Sequence, residues 1–450
     1  MRNKILFLEK VPFMGVELLD LLVENYYIVS YHSDSTTTLL QKKGFPVVCY
    51  KNTNASENIL GGDAIARVLK NKKFMKKIVG NKGTKTRALF FYTTKEMESL
   101  CKSHNISLLL PSVRLQKKLG DKLSLEQFCK QMGIKTNTTI AYKRVAYTPS
   151  RAYEDCVQKL GLPFVIQSSF GASGESTYKI HSAEEFLLLS NKISGGLRAS
   201  KYLGDIVPLS VHICITRTKI LFEGPYLQIV GFPELSQNPF QFCGNDMNQH
   251  MLTQTVKVKI KSASIKLAQF ARTLGYRGIL GIDFLYDPSS KEVYVQEINS
   301  RLVGLTRLIT GVQKEQKLTP HLLSHIQQFV PLKNSEGFVE GNIKLNGRSY
   351  SQLYIANNAT TPQRATRSLP SGIYTLKGNK LALKKESLFV ADMTRGDIMC
   401  TFAVNKGDNV QPSDIVAKII LKEAAIEKKA YRLTKKTKHT VAHIRRYILG

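Results

Sequence analysis

Short apolar runs alternate with amphipathic stretches along the first quarter of the chain. The apolar runs have the length of strands, and the stretches between them repeat their apolar residues at helical spacing. In chain order the segments are KILFLE, VELLDLLVEN, YIVSYHS, TTLLQKKG, FPVVCY, EMESLCKSHN and ISLLLPS. Strands and helices that alternate in this way predict a parallel α/β layer.

The middle of the chain predicts a unit that mixes hairpins with helices. Two helical segments, LSLEQFCKQMG and RAYEDCVQKLG, end at glycines, and a third, SAEEFLLLSNKI, begins with a capping box of Ser182 and Glu185. The strand GLPFVIQ, the loop SSFGASGEST and the strand YKIHS predict a hairpin over residues 160–182. Further strands and one helix follow, in the order VPLSVHICIT, KILFEGPYLQIVG, SIKLAQFARTLG (the helix), GILGIDFLYD and EVYVQEI.

The pattern changes after Pro331 to short strands separated by Gly, Asn and Pro. These strands are YSQLYIA, GIYTL, SLFVAD and IMCTFAV. They predict a small β-rich domain that ends in a basic helix near residues 421–448. The chain as a whole is therefore expected to combine α/β and α+β structure in three parts, residues 1–115, 116–332 and 333–450.

Composition places the chain among ordinary globular proteins. Apolar residues make up 43% of it, which is enough for a real core. We expect no transmembrane segment, because no apolar run is long enough, and the N-terminal run reads as a first strand, not as a secretion signal. The seven cysteines are scattered without CxxC pairs, so we expect neither disulfides nor a zinc site, and a cytoplasmic location.

The formal net charge of +31 is the unusual feature of the composition. Residues 64–95 contain many Lys and Arg and no acid, and residues 428–446 form a second basic run. Such a field attracts nucleic acid, an anionic lipid surface or an acidic protein. Solvated surface helices explain the same charge equally well, because charge patterning is not specific.

The stretch YVQEINSRLVG carries the strongest chemical signal. Alternation along a strand places Glu297, Asn299 and Arg301 on one face. A hairpin around the preceding turn would pair Asp283 with a residue near 295–297. Two carboxylates and an amide oxygen suit Mg²⁺, with Mn²⁺ as an alternative, and Arg301 could hold a phosphate. The alternative is an exposed alternating strand with a chance ion pair.

Two weaker signals lie upstream. The small residues of SSFGASGEST would let backbone N–H groups approach an anion, although the loop lacks the Gly-Lys-Ser ending of a P-loop and could equally be an ordinary flexible hairpin. Lys122 begins a predicted helix, and a lysine at such a position is usually solvent-exposed and has no specific role. Neither signal specifies a function alone.

In combination and in this order, these segments resemble the ATP-grasp superfamily. GDKLSLEQFCKQMGI is similar to the family's "DK…GI" segment, and QEINSRLVG is similar to its metal and phosphate strand "E-x-N-x-R". The resemblance covers residues 1–330 and is strongest to biotin-carboxylase-like amino-acid and peptide ligases. It implies a Rossmann-like pre-ATP-grasp domain, an ATP-grasp core of two subdomains whose lid is the hairpin at 160–182, and ATP with Mg²⁺ as cofactors.

The resemblance also implies roles for individual residues. Asp283, Glu297 and Asn299 would bind the metal, and Arg301 would be catalytic by stabilising the transferring phosphoryl group. The ATP-binding residues would be Lys122, Gln167, Ser173, Gly174, Ser176 and Leu203. Two positions depart from the family pattern: Gln167 stands where a lysine is usual, and only Asp205 is near the place of the usual ribose-binding glutamate.

The function implied is an ADP-forming carboxylate-amine ligase that joins small-molecule substrates through an acyl phosphate. Two alternatives use the basic charge: a ligase that modifies an acidic carrier protein, an acidic peptide or a tRNA, and an inactive scaffold that binds nucleic acid or an anionic surface. A homodimer is a further expectation. In the loop 231–250, Cys243, Asn245 and Asp246 are candidates for substrate contact, or else for stabilising a turn.

Overall fold

The computed structural model describes residues 2–22, 25–51, 61–79, 84–142, 148–169, 171, 174, 176–193, 195–332 and 337–450. Its N-terminal part is a parallel sheet of five strands in the order β3-β2-β1-β4-β5 with helices around it. The elements are β1 (Arg2–Glu9), β2 (Tyr26–His32), α1 (Ser35–Lys42), β3 (Val47–Lys51), α2 (Gly61–Lys70), α3 (Lys72–Val79), β4 (Thr84–Leu89), α4 (Lys95–Ser103) and β5 (Ser107–Leu108). The predicted parallel α/β layer is confirmed.

The helix predicted over VELLDLLVEN is wrong. Among the described residues of this segment, 16–22 and 25, only a 3-10 turn forms, Val16–Leu18. Residues 16–19 are all buried, so the segment packs on every side and does not present the single apolar stripe of an amphipathic helix.

Two short helices lead into an antiparallel sheet of four strands in the order β6-β9-β7-β8. The elements are α5 (Val113–Gly120), α6 (Lys122–Gln131), β6 (Thr139–Tyr142), α7 (Pro149–Leu160), β7 (Phe164–Ser168), β8 (Thr177–Ile180), α8 (Ala183–Ser190) and β9 (Leu197–Lys201). Strands β7 and β8 pair as the hairpin predicted over residues 160–182, and its role as a lid stays a prediction. At the start of α8 the Ser182 hydroxyl accepts a hydrogen bond from the backbone N–H of Glu185 at 3.3 Å, as the capping box predicts.

Ten of the remaining strands form one sheet, in the order β14-β13-β10-β11-β12-β15-β21-β19-β17-β18, and β16 and β20 pair with each other in a separate two-stranded sheet. The elements are β10 (Val207–Ile215), β11 (Ile220–Val230), β12 (Phe242–Asp246), α9 (Gln254–Thr273), β13 (Gly278–Asp287), β14 (Glu292–Asn299), α10 (Thr306–Glu315), α11 (His321–Gln327), β15 (Ser351–Ala356), β16 (Gln363–Arg364), β17 (Gly372–Lys377), β18 (Lys380–Lys385), β19 (Ile398–Ala403), β20 (Asn409–Val410), β21 (Ile415–Leu421) and α12 (Lys435–Leu449). Among the described residues, no helix is both long enough and apolar enough to cross a membrane.

The C-terminal strands continue the central sheet through the pairing of β15 with β12. The region is β-rich as predicted, whereas the boundary at residue 333 stays a prediction. The strand predicted at SLFVAD is wrong, because Val390–Asp392 is a 3-10 turn. The backbone N–H of Val390 donates a hydrogen bond to the Glu17 carboxylate at 3.1 Å and is therefore not available to a sheet. The basic helix begins later than predicted, at Lys435.

A buried arginine on α10 joins the first and last parts of the chain. The guanidinium of Arg307, which has no exposed surface, donates to the carbonyl oxygens of Phe13 at 2.8 Å and Leu388 at 3.0 Å. Because both acceptors are backbone groups, the contact fixes the loop after β1 against the C-terminal region, and this loop forms one wall of the cavity described next.

Candidate active site

The β13–β14 hairpin sets the register of the candidate metal residues. Asp283 lies directly opposite Glu297, and Gly281 lies opposite Asn299. The predicted pairing of Asp283 with a residue near 295–297 is therefore confirmed. Since residues two apart on a strand share a face, the side chains of Asp283, Glu297 and Asn299 converge on one side of the sheet.

Hydrogen bonds connect these side chains into a single cluster. The amide nitrogen of Asn299 donates to Asp283 Oδ2 at 2.8 Å and to Glu297 Oε1 at 3.0 Å. Arg301 Nη2 donates to Asn299 Oδ1 at 3.0 Å. The guanidinium of Arg301 also lies over the ring of Phe91, 4.7 Å from its centroid, so both contacts limit where this cation can point.

Lys122 joins the same cluster from α6. Its Nζ lies 3.0 Å from Glu297 Oε2, and its side chain is only 11% exposed. The side chain of Asp121 caps α6 by accepting from the Leu123 N–H at 3.1 Å, which fixes the first turn that carries Lys122. Lys122 is thus a largely buried member of the cluster and not an exposed surface lysine. Its contact with nucleotide stays a prediction.

The two facing carboxyl groups have opposite electrostatic responses. Burial raises the pKa of Asp283, and the neighbouring Glu297 carboxylate raises it further. Burial opposes ionisation of Glu297 as well, but the Lys122 ammonium and the Asn299 amide outweigh it and hold the pKa of Glu297 low. Two adjacent buried carboxylates repel each other when both ionise, and a divalent cation between them would remove that cost.

The donor set fits a hard cation. Across the part of the chain that the structure describes, no group of three or more His, Cys, Asp or Glu side chains is arranged to hold a metal. The set here has two carboxylates and one carboxamide, which carries an oxygen acceptor beside its nitrogen donor. Mg²⁺ typically takes one or two protein carboxylates and completes its shell with phosphate oxygens and water, so this small set suits Mg²⁺.

The cluster opens into a cavity of about 1030 Å³. Eight of the predicted site residues line it, namely Lys122, Gln167, Gly174, Leu203, Asp283, Glu297, Asn299 and Arg301. Ser176 is not part of the lining; its carbonyl accepts the Ser168 N–H at 3.2 Å within the lid hairpin. Ser173 lies outside the described residues.

Gly174 brings the lid into contact with the opposite wall. Its φ is +78°, and a Cβ placed there would lie 1.9 Å from the carbonyl oxygen of Phe240. Only glycine fits this approach, because any side chain would collide with backbone. The glycine therefore allows the tip of the hairpin to close against the loop 231–241.

Gln167 fills the place of the missing lysine with two hydrogen bonds. Its amide nitrogen donates to Thr177 Oγ1 at 3.1 Å, and its amide oxygen accepts from Gln296 Nε2 at 3.2 Å. The cross-strand neighbour of Gln167 on β9 is Arg198, which is 3% exposed and donates to the Gln296 carbonyl at 2.8 Å. A buried cation thus already stands beside position 167.

Sequence reasoning missed Arg198 and Ser210. Arg198 sits in the short segment LRASK, which the sequence pattern did not identify as a strand. Ser210 lies opposite Asp283 on β10 and hydrogen-bonds its carboxyl group. A polar residue in the otherwise apolar run VPLSVHICIT was the available signal, because such a residue needs a partner when buried.

The three candidate substrate-contact residues in loop 231–250 differ in whether they line the cavity. Asn245 lines the cavity. Asp246 is buried and accepts the backbone N–H groups of residues Ala425 and Ile426, each at 2.7 Å, so it stabilises local structure. Cys243 is buried outside the lining. Asp246 therefore has a structural role, whereas substrate contact by Asn245 stays a prediction.

Sequence similarity to known proteins covers about half of the chain. No family model matches the chain. Over 230 residues it is 20% identical to the [butirosin acyl-carrier protein]–L-glutamate ligase of Niallia circulans, covering 50% of this chain and 53% of the relative. Over 244 residues it is 22% identical to biotin carboxylase 1 of Bacillus subtilis, covering 50% and 51%. The chain therefore spans about half the length of these curated relatives.

Solved structures match over nearly the whole chain. The biotin carboxylase of Campylobacter jejuni, in a β-γ-ATP complex, superposes with a TM-score of 0.63 at 14% identity and covers 99% of this chain and 91% of its own. The chain has the ATP-grasp fold. The biotin carboxylase domain of Hydrogenobacter thermophilus 2-oxoglutarate carboxylase, with MgADP and bicarbonate, gives 0.62 at 15% identity and covers 94% and 86%. The ATP-grasp resemblance and the predicted fold class are confirmed, and the roles of single residues stay predictions.

Proposed function

We propose that this ATP-grasp chain is an ADP-forming carboxylate-amine ligase that works through an acyl phosphate. The observation that carries the proposal is the cluster of Asp283, Glu297 and Asn299 beside Lys122 and Arg301 at the wall of one large cavity. The names of the relatives, a carrier-protein–glutamate ligase and biotin carboxylases, support the same reaction class.

The proposed nucleotide site runs from the lid to the carboxylates. The adenine would lie by Leu203, between the two sheets, and the phosphates under the lid near Gly174 and Lys122. Asp283, Glu297 and Asn299 would hold Mg²⁺, which when bound neutralises phosphate charge. Closure of the lid against Phe240 would exclude water from the reacting phosphate.

The reaction proceeds in two displacements. A carboxylate oxygen of the first substrate attacks the γ-phosphorus, the bond to the β-phosphate oxygen breaks, and ADP leaves. The amine then attacks the acyl carbon, loses a proton and expels phosphate, which gives the amide. Arg301 faces the charge that develops on the phosphoryl group, and its contacts with Asn299 and Phe91 place the guanidinium before the substrate arrives.

A carrier protein is a second candidate for one substrate. The relative from Niallia circulans is named for action on an acyl-carrier protein. The net charge of +31 would steer an acidic partner, and residues Lys72, Lys73, Lys76 and Lys77 of α3 are exposed. The inactive-scaffold alternative is not favoured, because a chain without catalysis has no use for two facing carboxylates.

Location and assembly belong to the same proposal. We propose a cytoplasmic enzyme, supported by seven free cysteines, six of them buried. A homodimer is proposed because the neighbouring Hydrogenobacter structure is described as a domain dimer.

The function is tested by a screen for ADP release with MgATP and pairs of carboxylate and amine substrates. Glu297→Ala should reduce ADP formation by at least about a hundredfold, or ~2.7 kcal/mol of barrier, because the candidate metal loses a ligand. The control is Glu292→Ala, five positions away on the same strand. In the described part of the chain its side chain forms ion pairs with the surface lysines Lys135 and Lys259, and the variant should keep wild-type turnover. Wild-type turnover in a folded Glu297→Ala protein would refute the assignment.

A further inference from the structure

A lysine at the far end of the same cavity has no described charge partner. Lys418 lies on β21 and lines the cavity. Within the described ranges, no carboxylate lies within ion-pair distance of its Nζ, whereas Lys422 nearby pairs with Glu315 at 2.7 Å. Lys418 is partly buried. An ammonium held away from water without a carboxylate is costly, so its retention needs a reason.

Aromatic rings surround this ammonium. Tyr354 and Phe402 are its direct cross-strand neighbours on β15 and β19, and their ring centroids lie 4.9 Å and 5.9 Å from Nζ. Phe13, from the loop after β1, closes the third side at 4.5 Å. The rings hold the cation in place without neutralising it, because a cation–π contact transfers no charge.

The two acidic residues whose charge acts on Lys418, Glu9 and Asp34, already accept hydrogen bonds from backbone N–H groups. The carboxylate of Glu9 accepts the backbone N–H groups of three consecutive residues, Phe13 to Gly15, at 2.6–3.2 Å. Asp34 caps α1 by accepting the Thr37 N–H at 2.8 Å. Burial among these groups lowers the pKa of Lys418 to about 8, so the ammonium still predominates at neutral pH.

The lysine lies across the cavity from the candidate metal cluster but is connected to it. Five strands separate β21 from β14 in the sheet. The loop after β14 crosses this gap: a Cβ on Gly304 would lie 3.6 Å from the Tyr354 hydroxyl, and Gly304 is three residues, at most ~10 Å, from Arg301. Arg301 and Lys418 therefore border one cavity, which can hold both substrates together.

We propose that Lys418 binds the carboxylate of the amine substrate, a free amino acid or short peptide whose apolar side chain packs against Phe13, Tyr354 and Phe402. This inference rests on the ligase function proposed above and assigns its acceptor. The reacting carboxylate belongs beside Arg301, so the anion at Lys418 is a second, unreacted group. An amine that lacks a carboxylate would leave the caged ammonium unpaired and would bind more weakly.

The test measures binding and needs no turnover. Protein loaded with MgADP is titrated with L-leucine and L-phenylalanine and with the matching amides, L-leucinamide and L-phenylalaninamide. At least one amino acid should bind wild type at least tenfold more tightly than its amide. In Lys418→Met this preference should vanish, in Lys418→Arg it should persist, and in the control Lys422→Met it should be unchanged.

Stability separates this role from a structural one. Removal of an unpaired ammonium from an aromatic cage should leave the melting temperature of Lys418→Met equal to that of wild type or above it. A clear decrease, binding of neither amino acid, equal binding of acid and amide, or a preference that survives Lys418→Met would each overturn the inference. If ADP release depends on Glu297 but the preference is absent, the ligase stands and only this assignment of its acceptor fails.

Discussion

The exchange Gln167→Lys tests the clearest departure of this chain from the family pattern. The substitution restores the usual lysine and adds a positive charge beside the proposed phosphate site. In this structure, however, the directly opposite residue on β9 is the buried Arg198, and the two hydrogen bonds of Gln167 would be lost. We therefore expect the substitution to destabilise the free protein.

The magnitude follows from two contributions. Loss of two hydrogen bonds costs about 2 kcal/mol at ~1 kcal/mol each. The Cβ atoms of directly opposite strand positions lie ~5 Å apart, and two like charges held at that separation repel by ~3 kcal/mol at an effective dielectric constant of about 20, which is the upper limit here. Because a lysine can extend into the cavity, the total should lie between about 2 and 5 kcal/mol. The control Gln167→Met should lose only about 2 kcal/mol, since it removes the hydrogen bonds without adding charge.

The assay is thermal unfolding followed by tyrosine fluorescence, since the chain has no tryptophan. Without nucleotide the melting temperatures should decrease from wild type to Gln167→Met to Gln167→Lys. Saturating MgATP should stabilise the lysine variant more than the methionine variant, because phosphate charge offsets the repulsion. If the free lysine variant melts at or above the methionine variant, the repulsion from Arg198 is not present and the reasoning is wrong.

Two further predictions concern the metal and the C-terminal region. Removal of divalent cations with EDTA should abolish ADP release, and both Mg²⁺ and Mn²⁺ should restore it; activity that survives EDTA would contradict the metal assignment. Asp246→Ala should lower the free energy of unfolding by about 2–4 kcal/mol, because it leaves the buried N–H groups of Ala425 and Ile426 unsatisfied, and chemical denaturation should show it. A loss below 1 kcal/mol would mean that water replaces the carboxylate.

Local pattern was enough to predict the hairpin at the heart of the site. The turn between β13 and β14 and the alternation of Glu297 and Asn299 place Asp283 opposite a residue near 295–297. The exact pairing with Glu297 depends on a β-bulge between Asp283 and Phe284, which the sequence does not predict. Lys122 is different: it contacts Glu297 from 175 positions away, and only the family resemblance indicated that it belonged to the site.

Contacts between distant segments were beyond the sequence pattern. Arg198 beside Gln167, and Tyr354 and Phe402 beside Lys418, are cross-strand neighbours whose pairing depends on sheet order. Periodicity specifies which face of a strand is apolar but not which strand lies next to it. For the same reason the sequence did not predict the pairing of β15 with β12, and it indicated only a small β-rich domain for the C-terminal strands.

The ten-stranded sheet continues from β12 into the C-terminal strands, so truncation before β15 would expose a sheet edge. A protein that stops at residue 332 would retain β12 but lose β15, so the backbone groups of Phe242–Asp246 that now pair with β15 would face solvent or a second molecule. Exposed edges of this kind recruit other chains and promote aggregation. The last quarter of the polypeptide is thus needed to cover this edge, and expression trials should keep it attached.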